Sequence, residues 1–150
     1  MPDWEEAFLH EAVMVEKLYR SCFRCAVEDC RLTPNEIAVL LFLGRNAPGR
    51  DTATDIAQSC GISKALVARS VSGLHRRGFL DCERDRDDRR MVHLRLRGEG
   101  RAVAERLVQN GRRIAVELHR GIRPEELQLV RQIMQKIQGN LDALLEQLEG

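Results

Sequence analysis

Residues 63–97, SKALVARSVSGLHRRGFLDCERDRDDRRMVHLRLR, constrain this chain most, because they read as a helix followed at once by a short basic β-hairpin. Ser63 suits an N-cap, where its hydroxyl accepts from a free backbone N–H of the first turn. Val67, Val71 and Leu74 recur at i, i+4 and i+7, one apolar stripe of a helix. Ala65, Arg69, Ser72 and Arg76 fall on the opposite face, flanked by Lys64 and Ala68. That face is short, polar and cationic, which is what a helix needs to enter a DNA major groove. A solvated face of an ordinary amphipathic helix would look similar, and for the helix alone that is the simpler reading.

The hairpin decides between them. Gly78 stops the helix, and the pattern predicts strands over 79–84 and 91–97. In the second, Val92, Leu94 and Leu96 alternate with His93, Arg95 and Arg97, the period of a half-buried strand. Between the strands lies Asp85-Arg86-Asp87-Asp88-Arg89-Arg90, where a tight hairpin would use Asn-Gly or Asp-Gly. Residues 63–97 hold ten basic and five acidic side chains, net +5, in a chain whose total is +1, so the remainder is net −4. Positive charge concentrated in one helix and hairpin of a near-neutral chain is the footprint of a nucleic-acid binder.

Residues 32–97, carrying LTPNEIAVLLFL, TATDIAQSCGISKALVARSVSGLHRRGFL and DRDDRRMVHLRL, resemble the winged helix-turn-helix of the MarR family of bacterial transcription regulators. The Asp-Arg-Arg tip after a Gly-aromatic-Leu strand start is the most specific part of the match, and the helical flanks extend it over nearly the full length. Two positions depart from the pattern. Cys82 stands where the family usually has arginine, and Gly73 places a glycine in mid-helix, at up to about 1 kcal/mol of helix propensity.

The resemblance implies a mainly α protein with a small β-hairpin wing, in which 1–150 form one protomer. Residues 32–97 would be the DNA-binding lobe, and 3–29 with 101–148 a helical dimerisation region. It implies a homodimer on double-stranded DNA, its lobes in successive major grooves about 34–36 Å apart, on a roughly palindromic operator, with repression as the expected mode. Thr54, Ser63 and Lys64 would hold phosphates. Arg69 would make a bidentate contact to guanine, with Ala65, Ala68 and Ser72 against thymine methyls or phosphates. Arg86 would enter the minor groove at the wing tip. Arg76, Arg89, Arg90 and Arg95 complete the expected contacts, and Asp88 would pair with Arg90 or Arg89 to hold the wing's shape. Family members commonly release DNA when a small aromatic or anionic effector binds. Here that implies a pocket among helices one, two and five, with Tyr19, Phe23, Phe42 and His119 as candidate lining residues, although core packing is the simpler reading of all four.

Composition narrows the alternatives. Hydrophobic residues make up 43% and charged residues 31%, ordinary for a helix-rich soluble domain. Aromatics are only 4%, too few for the stacking platforms of a single-strand binder. No apolar run approaches the roughly 18 residues of a membrane span, and Met1-Pro-Asp-Trp-Glu-Glu is no signal peptide, so a cytoplasmic protein without membrane partners is expected. Five cysteines, an odd number, argue against a disulfide framework. Cys22, Cys25 and Cys30 are candidates for oxidant sensing, although a buried Cys22 with incidental neighbours is the simpler reading. His10, His75, His93 and His119 supply no paired metal-ligand spacing, so no metal or cofactor is expected.

The flanks read as long helices. Trp4, Phe8, Ala12, Val15, Tyr19, Cys22 and Ala26 step by three or four across 3–29, a stripe too long for one small lobe to cover. Thr33-Pro34-Asn35-Glu36 spells a capping box with proline at N1. Ile37, Leu40, Leu41 and Leu43 or Gly44 then face the core, and Asn46–Gly49 make a turn. Thr52 or Thr54 starts a third helix ending at Cys60-Gly61, with a short turn to Ser63. Gly98 and Gly100 separate the hairpin from a fifth helix over about 101–120, striped by Val103, Leu107, Ile114 and Leu118. Leu127, Val130, Met134, Ile137, Leu141, Leu144 and Leu148 form a coiled-coil-like seam that Gly139 is expected to interrupt. Together the two terminal helices carry more apolar surface than one chain covers, and a two-fold dimer is the economical solution.

Rival functions find less support. No Gly-rich phosphate loop, GxSxG elbow or apolar carboxylate pair suggests an enzyme. A winged-helix interaction module with a coiled-coil adaptor helix would leave the charge concentration unexplained.

Overall fold

The computed structural model describes residues 3–150. Its centre is α2 (Pro34–Asn46), which packs against α1 (Trp4–Ala26), α3 (Ala53–Cys60), α4 (Lys64–Arg76) and the second hairpin strand. The capping box forms as expected: Thr33 Oγ1 accepts from Glu36 N–H at 3.2 Å, and Glu36 Oε2 accepts from Thr33 N–H at 2.9 Å. Ile37, Val39, Leu40, Phe42 and Leu43 are all buried. That is a wider face than the single stripe expected, because neighbours surround this helix on several sides.

The third helix takes Thr52, not Thr54, as its cap, in a second capping box with Asp55. Gly61 ends it in the left-handed region at φ 62°, and Ser63 caps α4 by accepting from Leu66 N–H at 3.2 Å. Val67, Ser70 and Leu74 form the buried face of α4. The inward serine is satisfied, its hydroxyl donating to Leu66 C=O at 2.9 Å. At Gly73 a Cβ would come within 2.7 Å of Glu36 Oε1, so the mid-helix glycine lets α4 approach the capped start of α2.

The hairpin strands are β1 (Leu80–Arg84) and β2 (Val92–Leu96), antiparallel, with Leu80 opposite Leu96 and Arg84 opposite Val92. Both are shorter than the alternation suggested, since Phe79 is already buried in the lobe and Met91 belongs to the wing tip. The helix after them, α5 (Gly98–Leu118), starts at Gly98, so the two glycines are inside it and do not separate it from the hairpin. Gly100 is buried where a Cβ would stand 2.0 Å from the Phe79 carbonyl oxygen. Only glycine permits that approach of helix to strand.

One core joins Phe23, Val27 and Cys30 at the end of α1 and its following 3₁₀ turn (Glu28–Cys30) to α2, α3, α4, the hairpin, and Val103, Ala104 and Leu107 of α5. Along α1 the expected stripe meets this core only at its end. Tyr19, Cys22 and Ala26 are half-buried, while Trp4, Phe8, Ala12 and Val15 are exposed.

The chain divides into a unit ending at Ile114 and a second spanning Ala115–Gly150. The second consists of the last turn of α5 and α6 (Pro124–Glu149), which runs unbroken through Gly139. No α6 residue is buried, and the seam from Val130 to Leu148 is exposed. No helix among the described residues is long and apolar enough to cross a membrane.

These contacts set opposite outcomes for two glycines. Gly100→Ala should lower the free energy of unfolding by about 3 kcal/mol through overpacking against backbone. Gly139→Ala, with nothing within 4 Å of its Cβ, should raise it by about 1 kcal/mol from helix propensity. Urea unfolding of both variants checks the pair, and a well-tolerated Gly100→Ala would contradict the close approach.

Candidate nucleic-acid interface

With Val67, Ser70 and Leu74 turned inward, Lys64, Ala65, Ala68, Arg69, Ser72 and Arg76 are all exposed on the outer side of α4. The expected face is therefore assembled on one helix. Ser63 lies at its start with its hydroxyl oxygen engaged as the cap, and Thr54 is exposed in the first turn of α3. Both helix N-termini present free amide groups suited to anions.

The wing's cations divide into two sets. Arg84, Arg86, Arg89 and Arg90 are exposed and make no ion pair among the described residues, as do Lys64, Arg69 and Arg76 on α4. The others are committed to the protein itself. Arg97 pairs with Asp81 at 2.9 Å. Arg77 donates to the Cys30 carbonyl at 2.5 Å and stacks on Phe79, 4.6 Å from the ring centre. Arg95, expected on phosphate, donates to Asp51 at 2.5 Å and to Glu83 at 3.3 Å.

The wing keeps its shape by a different device from the expected Asp88–arginine pair. Asp88 Oδ1 accepts from the Arg90 backbone N–H at 3.0 Å, and Asp88 makes no ion pair among the described residues. The organising carboxylate is Asp85, whose Oδ1 accepts from the Asp87 and Asp88 amides at 2.8 and 2.9 Å. Its Oδ2 lies 2.7 Å from His93 Nε2, and His93 Nδ1 lies 2.6 Å from Asp51 Oδ1. Asp51 is buried in the turn before α3, and its carbonyl also accepts from Leu94 N–H at 2.9 Å. A three-carboxylate, two-cation network thus joins the wing to the frame of the helix-turn-helix.

Asp51, Asp85 and His93 were not among the residues expected from sequence. The two β2 cations alternate visibly, but their buried partner is more than forty residues away, beyond any local spacing. The His93 imidazole and the two wing amides hold the Asp85 carboxyl down at about 2.

Three of the four residues expected around an effector belong to the first unit and one to the second. Phe23 and Phe42 are buried in the core, Tyr19 packs on Phe23 at 5.6 Å between ring centres, and His119 is an exposed residue of the second unit. A cavity of about 650 Å³ lies between α2, β2 and α5, bordered by Leu43, Leu96, Arg101, Ala104, Val108 and Arg112 among others. Cys30 is buried, with Arg106 donating to its Sγ at 3.7 Å, and burial pushes its thiol up, away from the reactive thiolate. Cys25 is exposed and Cys22 half-buried, and all five cysteines are free. Among the described residues, no group of three or more His, Cys, Asp or Glu side chains is placed to hold a metal ion.

Residues 32–91 match the sequence model of the MarR family. That segment is therefore similar to the MarR family. It runs from the capped start of α2 through α4 to the wing tip and includes the cationic face of α4 and the wing's free arginines. A relative described as an uncharacterised HTH-type transcriptional regulator, YwhA of Bacillus subtilis, is 26% identical over 89 residues, 59% of this chain. The match spans 64% of that protein, just under two thirds of its length.

Solved structures extend the likeness of fold beyond the lobe. The transcriptional regulator PA3341 superposes with a TM-score of 0.79 at 23% identity, over 91% of this chain and 98% of that one. A MarR-family protein from Listeria monocytogenes, solved in complex with a 26mer DNA, gives 0.78 at 12% identity, over 95% and 94% of the two chains.

The Asp85 shift sets an acid limit for the wing. A carboxyl held below its ordinary value of about 3.9 contributes fully above that value and is lost only as pH falls through the lower one. The wing-tip bonds to Asp87 and Asp88 should therefore survive to about pH 2. Carbon-detected NMR of the Asp85 carboxyl should find that midpoint, and an ordinary carboxylate midpoint would contradict the network.

Proposed function

We propose that this protein is a transcriptional regulator that binds double-stranded DNA sequence-specifically as a homodimer on a palindromic operator, repressing by occupying it. The observation that carries the reading is the sorting of charge. Seven cations without carboxylate partners collect on the outer side of α4 and on the wing, while the remaining lobe cations are held by the fold. Unpaired arginines beside small side chains can displace condensed counterions from DNA phosphates without first breaking an ion pair.

In this reading Arg69 donates two of its guanidinium N–H groups to the O6 and N7 acceptors of a guanine, beside Ala65, Ala68 and Ser72. Lys64, Thr54 and Ser63 sit at helix starts where phosphates bind. Arg86 enters the minor groove at the wing tip, and Arg76, Arg89 and Arg90 hold the DNA backbone. Arg95 leaves the list of contacts and becomes part of the wing's support. The Listeria protein, solved in complex with a 26mer DNA, supports the use of this fold for DNA binding.

A second copy of the chain would cover apolar surface that one copy leaves in water. On α1, Trp4, Phe8, Leu9 and Val13 are exposed, and on α6 so are Ile133, Ile137, Leu141 and Leu144. Continuous apolar helix faces of this size mark an interface. The cavity beside Arg101 and Arg112 is the place where a small anionic effector would act, because it touches both α5 and β2.

Arg69→Ala should cost about 1–3 kcal/mol of binding and relax sequence preference at one position, whereas Arg89→Ala should weaken all sequences alike and lower the salt slope by about 1. Fluorescence anisotropy across operator variants separates them, and uniform losses in both would remove Arg69 as a reader. Sedimentation should give the mass of two chains, shifted toward one by Leu144→Asp. A monomeric wild type would exclude the dimer.

A further inference from the structure

His93 stands on β2 with both ring nitrogens against carboxylates. Nδ1 is 2.6 Å from Asp51 Oδ1, and Nε2 is 2.7 Å from Asp85 Oδ2. Ionised carboxylates only accept, so both contacts are hydrogen bonds only when both ring nitrogens carry protons. A neutral imidazole has a single N–H and must turn a lone pair toward one of the two carboxylates. The partners belong to different parts of the lobe. Asp51 is fixed in the turn before α3, its second oxygen held by Arg95 and its carbonyl by Leu94 N–H. Asp85 opens the wing tip and shapes it through the amides of Asp87 and Asp88. His93 therefore ties the tip to the frame that carries the helix-turn-helix.

We propose that His93 and Asp51 are positioning residues that aim the wing at DNA, and that the clasp closes fully only while the imidazole is charged. The inference rests on the DNA-binding reading above. The surroundings of the ring are simple. Asp51 faces it from the turn before α3 and Asp85 from the end of β1, while Glu83, opposite it in the hairpin register, is turned to Arg95. Among the described residues, no ionisable side chain of α2, α3 or α4 pairs with it.

The two carboxylates, Asp51 first and Asp85 second, hold the imidazole above its usual range. A group raised in the folded state contributes fully below its unfolded value, about 6.5 for histidine, and loses that contribution as pH rises through the higher folded value. A rise in pH through that folded value thus opens one side of the clasp and releases the wing tip, while the α4 face stays in place. The protein would bind its operator less tightly as pH rises.

NMR of the His93 ring nitrogens and of the Asp87 and Asp88 amides, followed across pH in the full chain, reads the clasp directly. Anisotropy with a duplex recovered from a genomic-fragment selection, for wild type and His93→Gln, reads its effect on DNA. Ring and amides should share one midpoint above about 6.5. Affinity should fall about tenfold over the same interval, as for one lost hydrogen bond to a charged group. His93→Gln should bind at the alkaline level throughout. A ring midpoint at or below the usual value, amides that ignore the ring, or a pH profile that survives His93→Gln would each overturn the clasp. If the amides follow the ring but no duplex binds at any pH, the DNA-binding reading fails instead, and the wing's aim at DNA with it.

Discussion

A carboxylate leaves water only where cations or donors meet it, because an unpaired buried charge costs several kcal/mol. Asp51 is nearly inaccessible and meets a guanidinium on one oxygen and an imidazole on the other. Its main-chain carbonyl pairs with β2 as well. Through this residue the turn before α3 holds the middle of the hairpin, and through His93 it reaches the tip. A two-stranded hairpin alone is marginal in water. Anchoring one strand to a buried charge and the other to the core through Leu80 converts a flexible appendage into a part with a fixed direction.

That anchoring also explains how the lobe uses its excess of arginine. Arginines close to the hairpin base are consumed by Asp51, Glu83 and Asp81, and Arg77 by backbone carbonyls and the Phe79 ring. Those farther out, at the tip and along α4, have no such partners. Net charge alone does not distinguish the two sets, because it counts a cation the same whether it supports the protein or is available to a partner. Screening by salt acts mainly on the exposed set.

The elements were legible wherever the signal was local. The Thr33–Glu36 box, the cap at Ser63, the stripe of Val67 and Leu74, and the alternation through β2 each depend on residues a few positions apart, and all appear in the fold. Long-range constraints were not legible. Gly100 reads as a linker glycine until the Phe79 carbonyl is seen against it, and Asp51 reads as a turn residue until β2 is laid beside it. Gly139 shows the opposite error. A single glycine in an otherwise strong helical pattern costs too little to break α6. Phe23 and Phe42 read either as pocket lining or, more simply, as core, and their burial at the centre of the lobe agrees with the simpler reading.

The proposal that the cationic face of α4 and the free wing arginines form one DNA-binding surface is tested most directly by the salt dependence of binding. Purified full-length protein would be titrated with its selected duplex and with a scrambled duplex at several salt concentrations. The selected duplex should bind at least about a thousandfold tighter. Its log affinity should fall linearly with log salt, with a slope of about −0.9 for each phosphate engaged and several phosphates per protomer. Equal, weak binding of both duplexes with a shallow slope would mean that the free cations face some partner other than DNA.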